Sequence, residues 1–161
     1  STRSFINTTG FHTNNTVLND INDTDTMLAV KLALNRGFKH IVICGATGGR
    51  MDHTIANIQT LRYILGHGAY GELIDDGNHV TMQGPGIKVY SRMNGYYFSM
   101  FAYTEECSGI TATGFQYPLK DAVLKSSFPL GVSNKVTGKS GIISLEKGIL
   151  LIIYSKDMNQ I

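Results

Sequence analysis

The sequence predicts an α/β protein in two parts, a parallel-sheet α/β domain over residues 1–83 and a small antiparallel β-sandwich domain over residues 84–161. Three observations predict it. Helical and strand periodicities alternate from Thr24 to Asp75, the order expected when helices cross over between parallel strands. After Gly84-Pro85-Gly86 the pattern becomes a succession of short strand candidates separated by turn residues. The 161 residues, 42% of them hydrophobic, supply one ordinary core or two small ones that lean on each other.

The first twenty residues are rich in Asn and Thr and almost without periodicity, so they read as an irregular lead-in. From Thr24, Met27, Val30, Ala33 and Leu34 recur at helical spacing; Asp23 or Thr24 can cap the amino end, and Gly37 stops the helix. His40 to Cys44 is short, β-branched and apolar on both faces, as a buried parallel strand is. The small-residue loop Gly45 to Arg50 leads into a second helix starting near Asp52, with Ile55, Ile58, Leu61 or Arg62, and Leu65 down one side and Gly66 and Gly68 at its end. Glu72 to Asp75 is another strand, closed by the turn Asp76-Gly77-Asn78. The later strand candidates are Ile87–Ser91, Tyr96–Ala102, Gly109–Thr113, Gly131–Asn134, Gly141–Leu145 and Gly148–Tyr154.

Composition excludes several classes of function. There is no run of about 18 apolar residues, so a membrane span is not expected, and the polar start does not read as a secretory signal. A net charge of +2 without any Lys/Arg block leaves no footprint for nucleic acid or an acidic membrane, so a small ligand is expected. The two cysteines, Cys44 and Cys107, form neither a disulfide framework nor a metal-ligand spacing and suit the cytoplasm.

Three stretches can carry chemistry. In ICGATGGRMDHTIAN, the backbone N–H groups of a glycine-rich loop and the start of the next helix form an anion site, to which Arg50 adds a cation. Gly48 and Gly49 let phosphate oxygens approach the main chain, and Asp52 either caps the helix or faces a metal held by the same phosphates. His53 reads as a histidine at the surface or one supporting a neighbouring binding residue, rather than a general base, with Asn57 one turn on. The loop lacks the Lys-Ser/Thr of a Walker A motif and matches the dinucleotide fingerprint only in part, because Met51 stands where the third glycine belongs. An NAD(P)-binding oxidoreductase therefore stays open as an alternative, with Asp75 as its ribose-binding acid.

The second stretch is Asn22-Asp23-Thr24-Asp25. Its carboxylates favour a helix start, and two are more than a cap needs; if the sheet brings this corner beside the glycine loop, Asp25 and Asp52 could share a magnesium ion on phosphate oxygens. The third runs from Gly114 to Gly141, where Phe115 and Tyr117 could stack on a flat ring and Ser133-Asn134 could read its polar edge.

The run TDTMLAVKLALNRGFKHIVICGATGGRMDHTIANIQTL resembles the catalytic domain of thiamine pyrophosphokinases, which joins a Thr-Asp helix start to a Gly-Gly-Arg-x-Asp-His loop. GFQYPLKDAVLKSSFPLGVSN and GIISLEKGILLIIYS resemble the thiamine-binding β domain of that family. The resemblance covers about Asn22 to Ser155 and implies transfer of a diphosphate group from ATP to thiamine by a homodimer using Mg2+, with thiamine between domains of different subunits. It implies Asp25 and Asp52 as catalytic and metal-binding residues, and Thr47, Gly48, Gly49, Arg50, Asp52, His53 and Asn57 as the ATP site. Ser133, Asn134 and Tyr117 become the thiamine site. Family members carry a Gly-Asp-x-Asp-Ser motif ahead of this region, supplying two more carboxylates; nothing like it precedes Asn22, so the catalytic domain is expected to be partial. A non-catalytic thiamine-binding module is the corresponding alternative.

Overall fold

A computed structural model describes residues 4–7, 25–45, 47 and 50–157. The fold is mixed α/β and mostly strands, and the chain divides into two compact units, Ser1–Asp76 and Gly77–Ile161.

The first unit contains β1 (Ser4–Asn7), α1 (Asp25–Asn35), β2 (His40–Cys44), α2 (Met51–Gly66) and β3 (Tyr70–Ile74). β2 pairs in parallel with β1 on one side and β3 on the other. Ile41, Val42 and Ile43 are buried, as are the central residues of β3, which is why β2 reads as a continuous apolar run rather than an alternating one. β1 falls within the lead-in expected to be irregular; four residues, SFIN, are too short for periodicity to reveal.

α1 buries Val30 and Ala33. It ends where Gly37 turns left-handed at φ 83°, its N–H donating to the Leu34 carbonyl at 2.9 Å while Phe38 N–H reaches Ala33 at 3.1 Å, so the last carbonyls are satisfied. In α2 the buried face is Asn57, Thr60, Leu61 and Ile64. The stripe expected through Ile55 and Leu65 is therefore rotated: Ile55 is 52% exposed, and two polar residues, Asn57 and Thr60, lie on the inner face. Thr60 satisfies its hydroxyl within the helix, donating to the Ala56 carbonyl at 3.0 Å. Buried Glu72 on β3 is hydrogen-bonded to His40 on β2, whose ring also lies against Tyr70 at 5.0 Å between centroids.

The second unit begins with β4 (Asn78–Gln83) and β5 (Gly86–Ser91), followed by β6 (Tyr97–Ala102), β7 (Glu106–Thr113) and β8 (Leu119–Lys125). It ends with β9 (Gly131–Asn134), β10 (Ser140–Leu145) and β11 (Leu150–Ser155). β4, β11, β6 and β9 pair in that order, all antiparallel. A separate sheet has the order β5-β10-β7-β8, also antiparallel. One apolar cluster draws on both groups: Phe98, Met100, Leu150, Ile152 and Tyr154 from the first, Tyr90, Ile110, Leu124, Ile143 and Leu145 from the second. Phe98 sits at its centre, with ring centroids of Tyr90 at 5.2 Å, Phe115 at 4.8 Å and Tyr154 at 5.0 Å. Directional bonds cross the same interior. Gln83 donates to the Ile143 carbonyl at 3.1 Å and accepts the Tyr90 hydroxyl at 2.8 Å, and the Tyr154 hydroxyl donates to the Ser91 carbonyl at 2.7 Å.

Two strands of this unit escape the sequence reading. β4 carries Thr81 and Gln83 on buried positions, so polarity hides it. In β8 the inward residues are Leu119, Ala122 and Leu124; a bulge between the first two breaks the spacing of two that marks a strand.

Candidate functional site

The first candidate site lies between β2 and α2. Gly45 N–H donates to the Ile74 carbonyl at 3.0 Å, tying the loop start to the end of β3. Thr47 is half-buried, and its hydroxyl oxygen, fully buried, has no hydrogen-bond partner among the described residues. Gly48 and Gly49 lie outside the described residues. Arg50 stands in the capping position of α2, extended at φ −79° and ψ 127°, with no side-chain cap. Asp52, one residue inside the helix, is thus not the capping residue.

Asp52 accepts two bonds from Arg50, Nε at 3.1 Å and Nη2 at 2.5 Å, and a third from the His53 backbone at 2.9 Å. This fork-on-fork geometry leaves both side chains exposed, at 75% for Arg50 and 62% for Asp52. The Arg50 hydrogen bonds, assisted by the His53 N–H, hold the Asp52 carboxyl below its ordinary value, so it is ionised at neutral pH. An exposed, ionised carboxylate joined to an exposed guanidinium at a helix start can exchange either partner for a ligand: the cation for a metal, the anion for a phosphate.

His53 is exposed, as the sequence indicates, whereas Asn57 is 8% exposed and belongs to the buried face of α2. Asp25 opens α1 with an exposed side chain, while Asn22, Asp23 and Thr24 lie outside the described residues. α1 packs on α2.

The second candidate site lies in the β unit. Tyr117 is 61% exposed, its ring free to stack, whereas Phe115 is 5% exposed and packed on Phe98, so it takes no part in stacking on a ligand. Asn134 is 5% exposed and holds the Tyr117 backbone, accepting from its N–H at 3.0 Å and donating to its carbonyl at 2.8 Å. Ser133, beside it, is exposed and left-handed at φ 59°. Its N–H donates to the Ser99 hydroxyl at 3.1 Å. Sequence reasoning passed over Ser99; the available signal was one small polar residue inside the apolar run YFSMF.

Comparison with known proteins gives two family matches in chain order. Residues 1–69 match the thiamin pyrophosphokinase catalytic domain, and residues 86–150 match the thiamin pyrophosphokinase vitamin B1 binding domain. The thiamine pyrophosphokinase of Bacillus subtilis (strain 168) is 37% identical over 135 residues, covering 83% of this chain and 63% of that protein. A crystal structure of thiamine pyrophosphokinase from B. subtilis superposes with a TM-score of 0.81 at 36% identity, covering 84% of this chain and 64% of the other. For the thiamin pyrophosphokinase of Geobacillus thermodenitrificans the TM-score is 0.78 at 30% identity, with 87% of this chain and 65% of the other covered. The chain thus spans somewhat under two thirds of these relatives. Two domain matches in order, with that identity and structural agreement, establish that the chain belongs to the thiamine pyrophosphokinase family.

Proposed function

We propose that this chain supplies the nucleotide-binding and thiamine-binding parts of an enzyme that transfers a diphosphate group from ATP to thiamine, giving thiamine diphosphate and AMP. The observation that carries the reading is the presence, in one chain and in order, of matches to a catalytic domain and a vitamin B1 binding domain of one enzyme family. Both matches fall inside the division into a parallel α/β catalytic domain, residues 1–83, and a β-sandwich thiamine domain, residues 84–161. The parallel pairing of β1, β2 and β3 supports the first assignment, and the apolar cluster shared by two groups of antiparallel strands supports the second. Every strand pairing of β4 to β11 described above is antiparallel, which argues against the longer parallel sheet of a dinucleotide-binding oxidoreductase.

ATP is assigned to Thr47, Gly48, Gly49, Arg50, Asp52, His53 and Asn57. α1 and α2 each follow a strand of one parallel set and pack together, an arrangement whose helix starts face the carboxyl edge of the sheet; this supports Asp25 and Asp52 acting at one phosphate site. Mg2+ fits the donor set, since magnesium commonly takes one or two carboxylates together with the substrate's phosphates. Asp25 and Asp52 would hold it, where it would neutralise phosphate charge. Thiamine is assigned to Ser133, Asn134 and Tyr117.

In the reaction, the primary hydroxyl of thiamine attacks the β-phosphorus of ATP in line. The new O–P bond forms as the bond from the β-phosphorus to the α–β bridging oxygen breaks, AMP departs and the hydroxyl proton is released. Arg50 screens charge on the transferring group, and binding holds ATP and thiamine in line. The protein works in the cytoplasm as a homodimer. Among the described residues no helix is long and apolar enough to cross a membrane.

The test is release of AMP from ATP and magnesium, with and without thiamine. Thiamine-dependent AMP is expected. Thiamine binding without AMP release would leave only a binding module, and tight binding of NADPH in place of ATP would replace the reading altogether.

A further inference from the structure

Strand β9 carries a bulge that singles out one buried hydroxyl. Phe98 pairs with Asn134 and Met100 with Gly131, so one residue of β6, Ser99, faces two of β9, Val132 and Ser133. An extra residue bends a strand and re-aims its side chains. Ser133 absorbs the surplus with its left-handed backbone, φ 59°, a conformation that costs energy for a residue with a Cβ. The conformation is held from below: the Ser133 N–H donates at 3.1 Å to the hydroxyl of Ser99, which is 6% exposed and flanked by Phe98 at 0% and Met100 at 1%. Gly131 fixes the other end of the bulge, since a Cβ there would run into the Met100 carbonyl oxygen. Asn134, the next residue, holds Tyr117 alongside.

We infer that Ser99 is a positioning residue for thiamine recognition: its buried hydroxyl holds the Ser133 N–H and thereby fixes the left-handed bulge that presents the Ser133 side chain to the ligand. This rests on the assignment of Ser133 to the thiamine site. Ser99 itself touches no substrate.

A second bulge supplies a matched control. Ile110 pairs with Ala122 and Ala112 with Leu119, so Thr111 faces Lys120 and Asp121; Asp121 is left-handed at φ 48°, and its N–H donates to the Thr111 hydroxyl at 3.2 Å. β8 and β9 are terminal strands in their strand orders, where bulges blunt an edge against pairing with another chain. Edge protection accounts equally for both bulges. The β9 bulge adjoins Asn134, which binds the Tyr117 backbone, and contains Ser133 itself, so its hydroxyl is the one tied to thiamine.

The experiment measures thiamine affinity by calorimetry, together with KM for thiamine and for ATP, in the protein carrying this chain and its variants Ser99→Ala, Ser133→Ala, Ser99→Ala/Ser133→Ala and Thr111→Val. Loss of one hydrogen bond of ordinary strength predicts thiamine binding weakened about five-fold in Ser99→Ala, with KM for ATP unchanged. In the Ser133→Ala background the same substitution adds no further loss, because Ser99 acts through Ser133. Thr111→Val binds thiamine as the unsubstituted protein does. If Ser99→Ala fails to fold, Ser99→Cys, similar in size and a weak acceptor, is read on the same terms. Normal thiamine affinity in Ser99→Ala beside a weakened Ser133→Ala overturns this inference and leaves the thiamine site standing. Normal affinity in both removes Ser133 from that site and the inference with it. An equal, additive loss from Ser99→Ala in the Ser133→Ala background reduces Ser99 to structural support.

Discussion

The amide of Asn134 grips both polar groups of the Tyr117 backbone, taking its N–H at 3.0 Å and giving a hydrogen to its carbonyl at 2.8 Å. Its Oδ1 also accepts the Lys135 N–H at 2.9 Å. One buried side chain therefore joins the end of β9 to the segment that leads into β8, and holds Tyr117 beside Ser133.

Replacing Asn134, which is itself 5% exposed, by Ala takes the side-chain partner from those three backbone groups. The expected loss of stability is about 2–3 kcal/mol, read from the urea midpoint at constant m. Asn134→Asp keeps the acceptor but turns a carboxylate oxygen toward the Tyr117 carbonyl, so it recovers little. An unchanged midpoint for both would show that water replaces the amide freely.

The His40–Glu72 pair makes a second prediction. Side-chain exposure is only 16% and 9%, so removing His40 takes one hydrogen-bond partner from a buried acidic side chain. His40→Ala is expected to cost about 1–3 kcal/mol at neutral pH. Glu72→Gln, which retains a hydrogen-bonding end group without the charge, costs clearly less. Equilibrium denaturation of the two variants checks the order, and a larger loss in Glu72→Gln would contradict it.

At the head of α2 the prediction concerns pH. Hydrogen bonds from Arg50 are the largest cause of the depressed Asp52 pKa, so the carboxylate persists as pH falls until the lowered value is passed. Arg50→Ala raises the Asp52 pKa toward that of a free carboxyl, and the acidic limb of kcat/KM moves to higher pH. Because both groups are exposed, stability should hardly change. Carboxyl 13C shifts followed through a titration report the Asp52 pKa directly; identical midpoints in the parent and Arg50→Ala would remove Arg50 as the cause. Asp52→Asn is expected to lower turnover severely while leaving the melting temperature near that of the parent, and full turnover would exclude Asp52 from the chemistry.

Tyr90→Phe deletes a hydroxyl whose only loss to packing is one oxygen atom, yet it leaves the buried Oε1 of Gln83 without its donor at 2.8 Å. About 1–2 kcal/mol is expected. Adding Gln83→Leu to this variant should deepen the loss, since it also takes the side-chain donor from the Ile143 carbonyl.

The legible parts of this fold were those in which local chemistry and tertiary demand agree. β2 was read from His40 to Cys44 because a strand buried on both faces is apolar throughout, and α1 because Gly37 punctuates its end. α2 was legible as a helix but not in its orientation, since Asn57 and Thr60 turn inward and Ile55 outward. β4 was hidden by the polarity of buried Thr81 and Gln83, and β8 by the bulge at Lys120-Asp121. At the sites, residue types such as Arg50, Asp52 and Ser133 were visible in the motifs. The bond between Arg50 and Asp52, the burial of Phe115 and the support of Ser133 by Ser99 depend on three-dimensional placement, which no spacing encodes.

Gln83 reaches the Ile143 carbonyl and the Tyr90 hydroxyl through hydrocarbon that is otherwise indifferent to direction. Oily surfaces can slide across one another with little penalty, but a hydrogen bond is lost when its ends part by an ångström or so. With the Tyr154 hydroxyl fastened to Ser91, these few atoms act as dowels between two planks. Drift in the surrounding aliphatic residues can therefore alter girth without letting one layer shear past the other, and a recognition corner built on such a frame keeps its aim while the sequence around it wanders.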